Sequence, residues 1–179
     1  AGPDSFSQLN PTVAEKLYLH VAEAVPENTK NLVDLYCGAG ILSLLLAKKI
    51  AAAGGKVIGV ESSGISNELA GVNAHENKVA NAKFVRADAR VGFEKIVKDG
   101  TSPEVIVLNP PRSGVEKELL EQIADAGVTK IIYVSCKAST LARDLGILAG
   151  RGYKLSNVQS FDMLPQTTHV ESVAVIEKI

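Results

Sequence analysis

Strand-like and helix-like runs alternate along most of this 179-residue chain, and the alternation constrains its fold more than any other feature. Short apolar runs rich in β-formers, each bounded by turn residues, lie at 31–36, 56–60, 83–85, 104–108 and 130–134. Helical patterns lie at 12–24, 41–53, 66–77, 89–97, 117–126 and 139–149. Such alternation is typical of βαβ crossovers, so it predicts an α/β fold with a mostly parallel sheet covered on both faces.

The end of the chain departs from this alternation. Residues 153–161 and 172–176 both have strand character, and the stretch 162–169 between them has no helical pattern. Because successive strands without a crossover helix pair antiparallel, the last strand is expected to run against the others. A seven-stranded, mostly parallel sheet with an antiparallel last strand resembles the Rossmann-like sheet of class I methyltransferases. A nicotinamide-binding sheet is normally parallel throughout.

Length, charge and cysteine content limit the classes of partner. No repeat or low-complexity tract divides the chain, so residues 1–179 are expected to form one domain. A net charge of −1 argues against a basic surface over the whole chain, although a local basic patch stays possible. Two cysteines are too few for a disulfide framework, so we expect a reducing, cytoplasmic setting. They are also too few for a four-cysteine metal site, so we expect no metal. No apolar run reaches about 18 residues, so we expect no membrane partner; we also expect a monomer.

A glycine loop follows the first predicted strand, in the run Asp-Leu-Tyr-Cys-Gly-Ala-Gly at 34–40. Gly38 and Gly40 allow a tight turn and the close approach of a ligand to the backbone. The next strand ends at Glu61, where an acid in a doubly wound fold accepts hydrogen bonds from ribose hydroxyls. A dinucleotide fingerprint would place a third glycine at Ser43, where pyrophosphate needs a free helix N-terminus. S-adenosylmethionine has no pyrophosphate, so the loop favours it over NAD; a glycine turn without a ligand is the remaining alternative.

Two further residues near this loop each have a simple structural explanation. Asp88 follows the third predicted strand, where an acid would lie near an adenine ring. An N-cap for the helix that follows explains Asp88 almost as well. Cys37 lies within the glycine loop and is expected to be a small packing residue.

Polar segments follow the later predicted strands, at the edge where ligands bind in open α/β sheets. The run Asn-Pro-Pro-Arg at 109–112 follows the fourth strand, and Ser-Cys-Lys-Ala-Ser-Thr-Leu-Ala-Arg-Asp at 135–144 follows the fifth. A third segment, 161–172, leads into the last strand. If that strand is antiparallel, its N-terminal end with Glu171 lies at the same edge.

One reaction that needs such groups is methylation of an unreactive ring carbon, such as C5 of uracil. A thiolate that adds to C6 makes C5 nucleophilic toward a sulfonium methyl group, and a base then removes the C5 proton so that the thiol is eliminated. Cys136 lies between a strand and a helix, whose dipole stabilises an anion at its N-terminus. A cysteine beside an apolar strand is otherwise more often an inert core residue.

Nearly end to end, the chain resembles the catalytic domain of the RNA uracil-C5 methyltransferases, which make 5-methyluridine in tRNA or 23S rRNA. The motifs that carry the resemblance are Phe-Ser-Gln-Leu-Asn at 6–10, Ser-Cys-x-x-x-Thr-Leu-Ala-Arg-Asp at 135–144 and Asp-x-x-Pro-x-Thr-x-His-x-Glu at 162–171. The resemblance implies that Cys136 is the nucleophile and Glu171 the base that takes the C5 proton. It implies an S-adenosylmethionine pocket formed by Gln8, Tyr36, Gly38, Gly40, Glu61, Asp88 and Asn109. Candidate contacts to the RNA substrate are Arg112, Arg143 and His169.

Two departures from the family leave alternatives open. The family usually carries an N-terminal RNA-binding barrel and a central region, so we expect this chain to be a catalytic domain whose RNA contacts lie largely elsewhere. One alternative is therefore an S-adenosylmethionine-binding module that is inactive without that part. Asn109 stands where many members carry Asp, and the Asn-Pro-Pro run is similar to a motif of adenine and cytosine amino-methyltransferases. Arg112 replaces the aromatic residue of that motif, and such an enzyme has no use for Cys136.

Overall fold

The computed structural model describes residues 10–163, 167 and 170–179. Strands and helices alternate up to the sixth helix, as predicted, and two strands follow it. The elements are α1 (Pro11–Ala24), β1 (Asn31–Leu35), α2 (Ile41–Ile50), β2 (Lys56–Glu61), α3 (Gly64–Glu76), β3 (Ala82–Arg86), α4 (Ala89–Lys98), β4 (Val105–Leu108), α5 (Lys117–Asp125), β5 (Lys130–Ser135), α6 (Ala138–Ala149), β6 (Tyr153–Asp162) and β7 (Val170–Lys178).

Within the described residues, seven strands form one sheet in the order β3-β2-β1-β4-β5-β7-β6. The pairings among β1 to β5 are parallel, whereas β7 runs antiparallel to both β5 and β6. The predicted α/β fold class, with a mostly parallel sheet and an antiparallel last strand, is therefore confirmed. Because β7 inserts between β5 and β6, the last strand of the chain and not the sixth lies beside the predicted nucleophile.

Two apolar cores, one on each face of the sheet, hold the helices in place. Phe93 of α4, Leu120 of α5 and Leu148 of α6 pack on one face, and Leu17 of α1 and Leu46 of α2 pack on the other. All four residues of β4 are buried, as expected for a central parallel strand covered by helices on both sides. Burial of this apolar surface stabilises a rigid sheet, whose strand ends then fix the positions of the loops.

Side-chain caps set where several helices begin. The Asn10 side chain accepts a hydrogen bond from the Val13 backbone N–H at the start of α1. The Ser63 hydroxyl accepts one from the Ser66 backbone N–H, so α3 begins at residue 64, two residues before the predicted start. The predicted helix 41–53 divides into α2 and a short 3-10 turn, Ala51–Ala53. None of the helices in the described ranges is long and apolar enough to cross a bilayer.

Candidate active site

The glycine loop has the unusual backbone that its sequence predicts. Gly38 and Gly40 have φ angles of 54° and 78°, and Tyr36 has a φ of 65°, which is uncommon for a residue with a side chain. A Cβ atom on Gly40 would lie 2.8 Å from the Phe84 ring, whereas one on Gly38 would meet nothing within 4 Å. The loop is therefore tightly packed beneath Gly40 and open above Gly38, which leaves space for a ligand against its backbone.

Glu61 lies at the end of β2, directly beside this loop. Its Oε2 accepts a hydrogen bond from the Gly38 backbone N–H at 2.9 Å, and its Oε1 accepts one from the Ser63 backbone N–H at 2.7 Å. On the other side of the loop, the Asn73 side chain donates to the Ala39 carbonyl at 2.9 Å. The Ser62 hydroxyl also donates to Oε1, at 3.3 Å. These bonds fix the carboxylate, and Oε2 keeps a lone pair with which to accept a ligand hydroxyl.

Asp88 is the N-cap of α4. Its Oδ1 accepts hydrogen bonds from the backbone N–H groups of Arg90 and Val91, at 3.0 and 3.4 Å. The capping explanation is therefore confirmed, while a contact between Asp88 and adenine stays a prediction. The two are compatible, because Oδ2 is not used by the cap bonds and the side chain lies at the carboxyl edge of the sheet.

A buried acid that sequence analysis did not single out lies beneath the loop. Asp34, in β1, is 1% exposed, and its Oδ2 accepts a hydrogen bond from the Ser43 hydroxyl at 2.5 Å. Burial raises the pKa of Asp34 to about 7, against the opposing effect of the Ser43 bond. Burial also raises the pKa of the neighbouring Cys37 thiol, helped by Asp34 and Glu61, so this cysteine is held as an unreactive thiol. That result agrees with the packing role predicted for Cys37.

The β5–β7 pairing brings the predicted nucleophile and base together. Ser135 and Ser172 form the last pair of this antiparallel ladder, so Cys136 directly follows Ser135 and Glu171 directly precedes Ser172, both at the carboxyl edge of the sheet. The Cys136 thiol is free and half-buried. Burial raises the pKa of the half-buried Glu171 above its usual range, and the charge of Arg112 opposes that rise. The end of β5 and the start of β7 therefore lie side by side, and Arg112, after β4, is close enough for its charge to act on Glu171.

Asn109 lies where β4 approaches the glycine loop. Its backbone N–H donates to the Leu35 carbonyl at 3.3 Å, so the segment that begins at Asn109 runs beside residues 36–40. Burial raises the pKa of the Tyr36 phenol to about 12, and the negative charges of three neighbouring acids add to the rise: Asp88, Glu116 and Asp144. The predicted cofactor residues that the structure describes are thus gathered along one edge.

Tyr18 of α1 is within electrostatic reach of this edge, and nothing in the sequence singles it out, because it lies in an ordinary amphipathic helix. Burial raises the pKa of its phenol, and the charges of Asp34 and Glu171 add to the rise. Both acids are therefore near enough for their charges to act on the phenol, which stays protonated.

The remaining predicted residues differ in how far the structure describes them. Arg143 is bonded to Asp144 and to the Ser113 and Val115 carbonyls, so part of its guanidinium is directed at the segment after β4. Gln8 and His169 lie outside the described residues. Among the residues placed in the structure, no group of His, Cys, Asp and Glu side chains could hold a metal ion.

A cavity of about 590 Å³ lies at the opposite, amino edge of the sheet. Asn31, Lys56 and Lys83 are among the residues that line it. No predicted site residue in the described part of the chain contributes to its wall, so it is separate from the site at the carboxyl edge.

Solved structures share this architecture. The crystal structure of Pyrococcus abyssi tRNA (uracil-54, C5)-methyltransferase in complex with S-adenosyl-L-homocysteine matches with a TM-score of 0.82 and 32% identity, over 97% of this chain and 40% of that one. Magnesium protoporphyrin IX methyltransferase from Synechocystis, with bound S-adenosylmethionine, matches with a TM-score of 0.66 and 16% identity over 94% of this chain and 78% of that one, and shows the fold alone. The fold and the glycine-loop edge define the class of S-adenosylmethionine-dependent methyltransferases.

The sequence comparisons narrow this class to one family. The family model described as tRNA (Uracil-5-)-methyltransferase matches residues 2–179, and the chain belongs to that family. An uncharacterized RNA methyltransferase of Clostridium acetobutylicum is 42% identical over 98% of this chain, and one of Geobacter sulfurreducens is 41% identical over 98%. The chain spans 37% and 35% of the lengths of these two relatives. The prediction of S-adenosylmethionine as the cofactor is confirmed at the level of the family.

Proposed function

We propose that this chain transfers a methyl group from S-adenosylmethionine to C5 of a uridine in RNA. The observation that carries the proposal is the β5–β7 register: Ser135 pairs with Ser172, and Cys136 and Glu171 are the chain neighbours of these two residues. A thiol and a carboxylate at one sheet edge are the two groups that the reaction requires. The names of the relatives support RNA as the substrate, and the Pyrococcus match supports C5 of uracil as the position.

The residues at the glycine loop fit S-adenosylmethionine, which when bound supplies the methyl group. The open space above Gly38 admits a ligand close to the backbone. Glu61, held by the Gly38 and Ser63 backbone, would accept hydrogen bonds from the ribose hydroxyls. Asn109 and Asp88 would border the same pocket, and Gln8 would complete it.

The chemistry on the base follows from Cys136 and Glu171. With the uracil flipped out of its stack, the Cys136 thiolate forms a bond to C6, and the displaced electron pair makes C5 nucleophilic. C5 takes the methyl group, and the Glu171 carboxylate then removes the C5 proton. The electron pair of that C–H bond restores the C5–C6 double bond as the C6–S bond breaks, which returns the thiolate. Burial makes Glu171 a stronger base than an exposed glutamate, while Arg112 favours its ionised form.

Trapping of the covalent adduct tests this mechanism. RNA containing 5-fluorouridine, incubated with the chain and S-adenosylmethionine, should leave a stable protein–RNA adduct detectable by mass, because fluorine cannot leave C5 as a proton. The Cys136→Ala variant should form none, whereas Cys37→Ala, which also retains one thiol, should form it. With ordinary RNA, Glu171→Gln should turn over about 10²- to 10⁴-fold more slowly, and Glu177→Gln, at the far end of β7, should not. An adduct of equal yield in Cys136→Ala contradicts the proposal.

A further inference from the structure

A buried carboxylate in α6 bonds to β5, to the segment after β4 and to a neighbouring arginine of α6 itself. Asp144 is 0% exposed. Its Oδ2 accepts hydrogen bonds from the Tyr133 hydroxyl at 2.6 Å and from the Val115 backbone N–H at 2.9 Å. Its Oδ1 accepts one from Arg143 Nε at 2.8 Å. A carboxylate this deep is stable only when paired and bonded in this way, so its position is closely fixed.

Arg143 extends the same connection to the segment that follows β4. Its Nη2 donates to the Ser113 carbonyl at 3.0 Å and to the Val115 carbonyl at 3.2 Å, while the guanidinium also pairs with Asp144. Together with the Val115 N–H, three hydrogen bonds therefore join α6 to residues 113–115. A planar guanidinium can make this set of bonds, and a lysine ammonium cannot reproduce its geometry.

Gly114 shows how closely this segment approaches α6. It has a φ of 78°, and a Cβ atom there would lie 2.6 Å from Arg143 Nη2 and 2.7 Å from Asp144 Oδ2. Only glycine combines this backbone conformation with this closeness. The approach of the 113–115 segment to the Arg143–Asp144 pair is thus built into the sequence at Gly114.

We infer that Asp144 and Arg143 form a clamp that positions the 109–115 segment against Cys136, and the inference rests on the proposed function. The segment carries Asn109, beside the glycine loop, and Arg112, whose charge acts on Glu171. Cys136 lies in the turn from β5, which carries Tyr133, into α6, which carries the clamp. The clamp therefore couples the thiol to the groups around the base, and a displacement of about 1 Å can cost about 10²-fold in rate.

Replacement of Arg143 by lysine separates this role from a simple contact with RNA phosphate. Lysine keeps the positive charge but cannot make the several hydrogen bonds of the planar guanidinium. For Arg143→Lys, kcat and the rate of fluorouridine adduct formation should fall about 10- to 100-fold, with the KM for RNA within about twofold of the wild type. Amide hydrogen exchange in 109–116 should quicken. Arg151→Lys is the matched control, since Arg151 pairs with Asp125 at the other end of α6, and it should match the wild type.

Tyr133→Phe provides a second variant, which removes one donor to Asp144 and retains the ring. Like Arg143→Lys, it should lower kcat, and it should quicken exchange of the Val115 amide. Thermal melting of every variant shows whether it is folded. Wild-type kcat and exchange in Arg143→Lys, with or without a raised KM, overturn the clamp alone. A wild-type chain that binds S-adenosylmethionine and forms no adduct overturns the proposed function, and the inference with it.

Discussion

At the scale of single residues, the pH dependence of the reaction should report on the pair Arg112 and Glu171. The base must be ionised to take the C5 proton, so activity rises with pH through the pKa of Glu171. Burial raises that pKa and Arg112 lowers it. In Arg112→Gln the opposing charge is lost, so the acid limb of the kcat profile, which includes the removal of the C5 proton after methyl transfer, should move to higher pH.

Arg112→Lys is the matched control, because it keeps the positive charge and should leave the acid limb near its wild-type position. Both variants are expected to lose some rate if Arg112 also contacts RNA, but the position of the limb is independent of that loss. A limb that moves to lower pH in Arg112→Gln, or moves equally in both variants, would show that the charge of Arg112 does not act on the base.

At the scale of elements, two alanine substitutions in the glycine loop should affect stability and cofactor affinity differently. An alanine at Gly40 would adopt an unfavourable positive φ and crowd Phe84 and Ala70, so unfolding free energy should fall by about 1–2 kcal/mol from the backbone and about 1–3 kcal/mol from overpacking. An alanine at Gly38 meets open space and should lose the backbone contribution alone.

The order should reverse for the affinity toward S-adenosylhomocysteine: at a temperature where both variants are folded, Gly38→Ala should bind it more weakly than Gly40→Ala. Gly38→Ala places a methyl group where the ligand would lie, so its Kd should rise at least about tenfold, a loss of about 1.4 kcal/mol. Calorimetric titration and denaturant unfolding measure the two quantities. Unchanged affinity in Gly38→Ala would place the ligand away from this face of the loop.

The elements also show which parts of the site could be read from the sequence. The apolar runs and their spacing predicted the strands, the antiparallel last strand and the edge at which the motifs meet. Which strand pairs with β5 depends on tertiary packing: β7 inserts beside it, and the register that pairs Ser135 with Ser172 appears only in the fold. The charge of Arg143 is visible in the sequence, but its partners, two carbonyls distant in the chain and an adjacent acid, appear only in the fold; its contact with RNA stays a prediction.

At the scale of the whole molecule, the acid beneath the glycine loop should make global stability depend on pH. Asp34 has its pKa raised from an ordinary 3.8 to about 7 in the folded chain. The folded state therefore binds this proton more tightly than the unfolded state does. The stabilisation is fully present below the unfolded value and is lost as pH rises through the folded one, by on the order of 4 kcal/mol between pH 4 and 8.

Asp34→Asn should remove this contribution, because an asparagine keeps a side-chain oxygen to accept the Ser43 bond and has no charge to bury. Denaturant unfolding from pH 4 to 8 should show a flatter profile for Asp34→Asn than for the wild type, with the larger gain at pH 8. Asp99→Asn, an exposed acid at the end of α4, is the control and should retain the wild-type slope. Parallel profiles for Asp34→Asn and the wild type would mean that Asp34 is already ionised near pH 4, and that the fold accommodates a buried charge beside the cofactor loop.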